Sequence, residues 1–165
     1  MEIIIRKSEE KDLPQLLDIY NYEVVNGVST LDLEKRTLEE WQLWFSAHNV
    51  ENHPLYTAEA DGVCVGYASL SGYRDKEAYK STVELSVYVS PKYRGMGVAS
   101  RLMEHIIGKA KEDERTHLIV SVITSGNEAS CRLHEKFGFE FCGTIKEVGV
   151  KFGKYQNIDN YSLKV

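Results

Sequence analysis

Between Thr82 and Ala110 the hydrophobic period changes once, and the change is made across a proline and two glycines. In "STVELSVYV" the apolar residues alternate. Val83, Leu85, Val87 and Val89 fall on one face and Thr82, Glu84, Ser86 and Tyr88 on the other, as in a half-buried strand. From Gly97 onward Val98, Leu102, Ile106 and Ala110 recur at four-residue intervals, flanked by Ala99, Met103 and Ile107, so a helix must pack this stripe on a sheet. Arg94-Gly95-Met96-Gly97 joins the two. First-turn N–H groups lack intrahelical partners and the helix dipole favours an anion there; glycine backbone approaches phosphate closely, and an arginine adds a bidentate charge. The loop therefore suits a pyrophosphate, although glycines serving turn geometry alone fit these residues equally well.

The rest of the chain predicts mixed α and β elements. "EIIIR" is a β-branched strand, and Ser8 or Asp12 is placed to cap a helix carrying Leu13, Leu16, Leu17, Tyr20 and Val24, which Gly27 ends. Thr37 and Glu40 have capping-box spacing before a helix with Leu38, Trp41, Trp44 and Phe45 on its apolar face. "PLYTAEADGVCVGYASLSGY" predicts two strands across the Asp61-Gly62 turn. "HLIVSVI" is a further strand, "NEASCRLHEKF" a short helix closed by Gly138, and "FEFCGTIKEVGVKF" and "DNYSLKV" are final strands.

No repeat or linker divides the 165 residues, which predicts one domain over 1–165. A net charge of −5 lacks the positive field that nucleic acid binding uses. The apolar run in "MEIIIRKSEEKD" is too short for a signal peptide or membrane span, so the expected location is the cytoplasm, with no membrane partner. Cys64, Cys131 and Cys142, odd in number and irregularly spaced, read as reduced thiols and indicate no metal site.

Two nucleotide motifs come close to the loop. Gly95-x-Gly97-x-x-Ser100 departs from the dinucleotide fingerprint at its third glycine, and "HLIVSVITSG" does not end in the acidic residue that holds a ribose hydroxyl. The lysine and hydroxyl pair of a phosphate-binding Walker loop is missing as well.

Arg94-x-x-Gly97-x-Ala99 matches the Q/R-x-x-G-x-G/A signature of the GCN5-related N-acetyltransferase (GNAT) superfamily. "TVELSVYV", "YRGMGVASRL", "SGNEASCRLHEKFGFE", "GVKFGKY" and "IYNYEVVNGVSTLDLEKRTLEEW" together resemble its phosphinothricin or methionine-sulfoximine N-acetyltransferase branch over nearly the whole chain. The resemblance implies an α/β (α+β) fold: a mixed, mostly antiparallel twisted sheet flanked by helices, its central strands splayed at an acetyl-CoA site. It also implies a homodimer paired through C-terminal strands. Val87, Tyr88 and Val89 would hold the pantetheine arm; Arg94, Gly95, Met96, Gly97, Val98, Ala99 and Ser100 the pyrophosphate; and Asn127 a further part of the cosubstrate. Asn127 is also a good N-cap, with Ser125 and Glu128 spaced as a competing capping box.

Acetyl transfer to nitrogen needs a neutral amine, whereas an α-amino group is largely protonated at neutral pH. Glu84, among apolar neighbours just before the pantetheine segment, resembles the family's general base, while composition alone would make it an exposed strand residue. His134 in "LHEKFGF" would give a proton to the departing CoA thiolate; a lone helical histidine is otherwise structural. Cys131 shares a helix face with His134, but such enzymes are expected to transfer the acetyl group directly in a ternary complex rather than through an acyl-cysteine.

An amino-acid acceptor needs a cation for its carboxylate. Arg74, Lys80 and Lys151 are available, with Tyr73, Tyr79, Phe152 and Tyr155 as walls, and the resemblance points to Arg74, Tyr79, Lys151 and Phe152. Leu85, Leu31, Tyr155 and Asn157 depart from the branch's usual residues around that site. The expectation is an acetyl-CoA-dependent N-acetyltransferase of a small amino-acid-like amine, against three alternatives: peptide N-terminal acetylation, a non-catalytic acyl-CoA-binding module and a dinucleotide enzyme.

Overall fold

The computed structural model describes Met1–Val165. Seven strands form one sheet: β1 (Ile3–Lys7), β2 (Leu55–Ala60), β3 (Val63–Gly72), β4 (Thr82–Val89), β5 (Leu118–Thr124), β6 (Glu140–Lys151) and β7 (Lys154–Lys164), in the order β1-β2-β3-β4-β5-β7-β6. Every neighbouring pair is antiparallel except β4 with β5, which run parallel. That parallel pairing covers only Thr82↔Leu118, Val83↔Ile119 and Glu84↔Val120, after which the two strands part. The mixed, mostly antiparallel sheet with a central splay is the one expected.

Helices α1 (Leu13–Asn26) and α2 (Leu38–Ser46) bury Leu13, Leu16, Leu17 and Trp41 with Leu55, Cys64 and Tyr67 of the sheet. A separate, larger cluster joins Val98, Leu102, Met103, Ile106 and Ala110 of α3 (Val98–Glu112) to Val65, Leu70, Val83 and Ile119. Cys131, Leu133 and Phe137 of α4 (Glu128–Lys136) pack against it too. The four-residue stripe of α3 is thus its sheet-facing side. The approach is close at Gly66, where a Cβ would lie 2.9 Å from the Tyr88 carbonyl and 3.2 Å from Val98 and Leu102, so only glycine lets α3 settle here undistorted.

Local signals were met in part. The Asp61-Gly62 turn has φ of 51° and 80°, both positive as a tight hairpin requires, and Thr37 with Glu40 forms the reciprocal capping box. Ser8 and Asp12 do not cap α1 with their side chains. Ser8 Oγ lies 2.6 Å from Thr57 Oγ1, and the Asp12 carboxylate takes two 2.7 Å hydrogen bonds from Arg6, since a buried charge needs its countercharge more than a helix needs a cap. The last strand begins at Lys154 rather than Asp159. Two irregularities in β6, between Phe141 and Gly143 and between Ile145 and Gly149, hide its alternation from the sequence.

Candidate active site

Two cavities meet around β4. The larger, about 960 Å³, opens along the splay and is lined by Val87, Tyr88 and Val89 of β4, Arg94, Ala99 and Met103 of the loop and α3, and Ser121 to Asn127. Gly95 and Gly97 turn the chain with φ of 75° and 79°, a left-handed backbone that a side chain disfavours. Gly97 caps α3 without any side-chain hydrogen bond, so the first turn's N–H groups are left to the loop. Gly95, Met96 and Gly97 are exposed; Val98 is buried in the main core and can offer only its backbone. Arg94 is half-exposed, and one of its amino groups is ion-paired with the buried Glu23 carboxylate at the cleft wall. Lys136, at the end of α4, reaches Ser100 Oγ at 3.3 Å and brings a second cation to the helix start that the sequence did not announce.

Asn127 is an N-cap, its Oδ1 accepting from Ser130 N at 3.2 Å, and it also lines the larger cleft. The competing capping box is not formed, because Ser125 Oγ donates instead to Asp159 at 2.8 Å.

His134 lines the larger cleft and is held at both ring nitrogens. Its Nδ1 is 2.7 Å from the Ser130 carbonyl and its Nε2 2.9 Å from Ser121 Oγ. A carbonyl only accepts, so Nδ1 carries the proton; burial pushes the imidazole pKa below its ordinary value, leaving it neutral with a bare Nε2. Ser121 therefore donates to the bare Nε2, and the ring meets the larger cleft, which it helps to line, through that hydroxyl. Cys131 is not hydrogen-bonded to it: Cys131 is half-buried and packs against the main core.

The smaller cavity, about 420 Å³, lies on the face covered by α1 and α2. Trp41 and Trp44, stacked at 4.3 Å, form one wall with Tyr67, and Tyr20, Thr30, Asp32, Arg36, Ser69, Ser71, Glu84 and Ser86 contribute from five segments. Arg36 is spent on neighbours, 2.8 Å from Asp32 and 3.3 Å from Glu40. Tyr20 donates to Asp32 as well, so the loop after α1 is held by a closed polar network. The lining carries three carboxylates, Asp32, Glu40 and Glu84, against one cation.

None of the four residues expected to grip the acceptor lines either cavity. Arg74 and Tyr79 are exposed beside Tyr73, with the Arg74 guanidinium 5.0 Å from the Tyr73 ring centre; Phe152 is exposed at the tip of the β6–β7 hairpin. Lys151 is buried, its Nζ donating to the carbonyls of Thr30 at 2.8 Å and Glu23 at 3.4 Å, so its charge fastens the hairpin to the loop after α1. Arg74 still bears on the site, because its field pulls down a Glu84 pKa that burial raises above the ordinary carboxylate value. Apart from Glu84 and Tyr88, the residues that do line the smaller cavity were given no part in binding or chemistry by the sequence. Arg36 and Asp32 are four apart in a loop, where that spacing carries no message.

Glu84 is the only carboxylate common to both cavities. Thr30, Ser86 and Tyr88 line both cavities with it, so the cleft along the splay and the cavity under α1 and α2 meet at this part of β4. The chain belongs to the acetyltransferase (GNAT) family, whose description matches residues 14–139. It is 37% identical over 166 aligned residues to the L-methionine sulfoximine/L-methionine sulfone acetyltransferase of Pseudomonas paraeruginosa, covering 100% of this chain and 96% of that one. A phosphinothricin acetyltransferase from Sinorhizobium meliloti, solved in complex with acetyl-CoA, superposes with a TM-score of 0.95 at 30% identity, covering 100% of this chain and 89% of that one. A structure described as a ribosomal-protein-alanine N-acetyltransferase from Brucella melitensis superposes with a TM-score of 0.94 at 38% identity, over 98% and 99% of the two chains.

Proposed function

We propose that the protein transfers the acetyl group of acetyl-CoA to the amino group of a small amino-acid-like compound of the methionine sulfone, methionine sulfoximine or phosphinothricin kind. The observation that carries this is the position of Glu84 between a long cleft and a smaller cavity. In this reading the splayed edge of β4 at Val87, Tyr88 and Val89 takes the pantetheine arm, and the turn from Arg94 to Ser100, with Asn127 beside it, takes the pyrophosphate. Glu84 removes a proton from the acceptor's ammonium. The freed lone pair attacks the thioester carbonyl and the C–N bond forms; the C–S bond then breaks with its electrons on sulfur, and the second proton lost from nitrogen goes to that sulfur, giving the neutral amide and CoA thiol. A carboxylate whose pKa is raised by burial is a stronger base than an exposed one, which suits this step.

The electronegative lining of the smaller cavity favours an incoming ammonium, and its volume of about 420 Å³ suits a small molecule. Arg74 and Tyr79, at the margin, remain the candidates for the acceptor's carboxylate end. Lys151 and Phe152 act through the hairpin they belong to. We take the chain to be one domain working in the cytoplasm as a homodimer, supported by the exposed Phe141, Ile145, Val148 and Val150 on the edge strand β6.

Peptide N-terminal acetylation is the second reading, favoured by the 38% identity to the ribosomal-protein-alanine N-acetyltransferase of Brucella melitensis. A mass-spectrometric screen of L-methionine sulfone, phosphinothricin and other free amino acids against alanine-terminated peptides separates the two. Acetylated free amino acids are expected. Turnover of peptides alone would overturn the assignment, and acetyl-CoA binding without acetylation of any amine would reduce the protein to a binding module.

A further inference from the structure

The buried His48 and the half-buried Ser71 form a pair that the chemistry above leaves without a role. His48 follows α2, with its Nδ1 2.7 Å from the Trp44 carbonyl and its Nε2 2.7 Å from Ser71 Oγ. The carbonyl can only accept, so the ring's proton sits on Nδ1. Burial holds the imidazole pKa below its ordinary value, which keeps the ring neutral and Nε2 bare. Ser71 has a single hydroxyl hydrogen and must donate it to Nε2. Toward everything else Ser71 Oγ presents lone pairs only.

The register of the sheet gives that hydroxyl its importance. Ser71 of β3 is directly opposite Glu84 of β4, and opposite residues of an antiparallel pair share a face with Cβ atoms about 4.5–5.5 Å apart. Both side chains line the smaller cavity. A serine free to rotate would donate to the Glu84 carboxylate and occupy the lone pair that must take the proton. His48 removes that option.

We propose that Ser71 is a hydrogen-bond acceptor for the N–H of the incoming amine and that His48 is the positioning residue that keeps it an acceptor. The amine then meets two groups at this end of the cavity: Glu84, which takes one proton, and Ser71 Oγ, which receives a second N–H and turns the nitrogen lone pair toward the splay. A carboxylate, carbonyl or phosphinate oxygen brings only lone pairs and is repelled by the same hydroxyl, so the acceptor enters nitrogen first. The inference rests on Glu84 being the base.

The tautomer is read without substrate. In a long-range ¹H–¹⁵N correlation spectrum of the labelled protein, with His48 assigned by its loss in His48→Gln, a neutral ring protonated on Nδ1 is expected; a proton on Nε2 overturns the proposal. Kinetics with L-methionine sulfone and acetyl-CoA supply the second reading. Ser71→Ala raises the KM of the amine by about tenfold, the scale of one lost hydrogen bond to a charged or polarised group, and leaves the KM of acetyl-CoA unchanged. His48→Leu does the same, adds nothing in the Ser71→Ala background, and is largely rescued by His48→Gln, whose oxygen accepts from Ser71. Additive effects, or equal rises in both KM values, overturn the positioning role; if His48→Leu does not fold, an unchanged amine KM in Ser71→Ala is enough to do so. Full turnover by Glu84→Gln would instead remove the base assignment while leaving the tautomer result standing, so the two failures are distinguishable.

Discussion

The two cavities that meet at Glu84 are made from different parts of the polypeptide. The larger cleft depends on backbone: a strand that parts from its neighbour after Glu84, two glycines in left-handed conformation and a helix start without a side-chain cap. The smaller cavity depends on side chains brought from α1, the loop after it, α2, β3 and β4, and tied together by ion pairs and stacked rings. A donor that is always the same can be held by peptide groups, which any sequence supplies. An acceptor that differs between relatives must be held by side chains, which substitution can change without disturbing the sheet.

Substitutions that belong to one cavity alone should therefore separate the two KM values, and among the four residues that line both, Thr30, Glu84, Ser86 and Tyr88, removal of the one carboxylate should abolish chemistry. Glu84→Gln is expected to lower kcat by about 10²–10⁴-fold with little change in either KM, measured by CoA release. Full turnover would mean that the cavities share no chemical centre. Gly97→Val places a β-branched residue at φ 79°. The left-handed backbone costs a residue with a Cβ about 1–2 kcal/mol, so the melting temperature falls and the KM of acetyl-CoA rises while that of the amine stays put. Arg36→Met tests the other side, leaving Asp32 and Glu40 unpaired at the cavity rim. Half-exposed pairs of this kind are worth up to about 1 kcal/mol, and the lining loses its one cation, so the amine KM should fall by less than about fivefold, with the KM of acetyl-CoA unaffected.

The smallest effect is on pH. Burial raises the Glu84 pKa and the positive Arg74 lowers it, and the ionised carboxylate is the active form. The acid limb of kcat/KM for the amine should accordingly lie above the ordinary carboxylate range, with activity lost as pH falls through it. Arg74→Ala removes the opposing cation and should move that limb to higher pH. A limb that stays in place would uncouple Arg74 from the base.

What the sequence made legible follows the same division. The change of period at the Arg-Gly-Met-Gly turn, the capping box at Thr37 and the Asp61-Gly62 hairpin are local, and each is present as expected. The role of Gly66 was not legible, because the need for a missing Cβ arises only when α3 crosses β3. Lys151 was read as a free cation since nothing near it in the chain shows that its partners are the carbonyls of Glu23 and Thr30. The two bonds that hold the His134 ring, to a carbonyl one helical turn back and to Ser121 of a strand, were likewise not legible. Both histidines lie at the C-terminal ends of short helices, bond a carbonyl four residues earlier and fix a serine on a strand, a recurrence that belongs to the fold and to no motif.

The splay after Glu84 also bears on solubility. A strand with one unpaired side is ordinarily a hazard at the margin of a sheet, where a neighbouring molecule can add its own strand. Here such a side occurs between the fourth and fifth of seven strands, with α3 and α4 on one face and α1 and α2 on the other. A foreign sheet is too broad to enter, while a single slender chain with peptide-like amides is not. The width of the gap thus performs a selection that no side chain has to make, and the protein can hold peptide groups ready for a guest without becoming adhesive to its own kind.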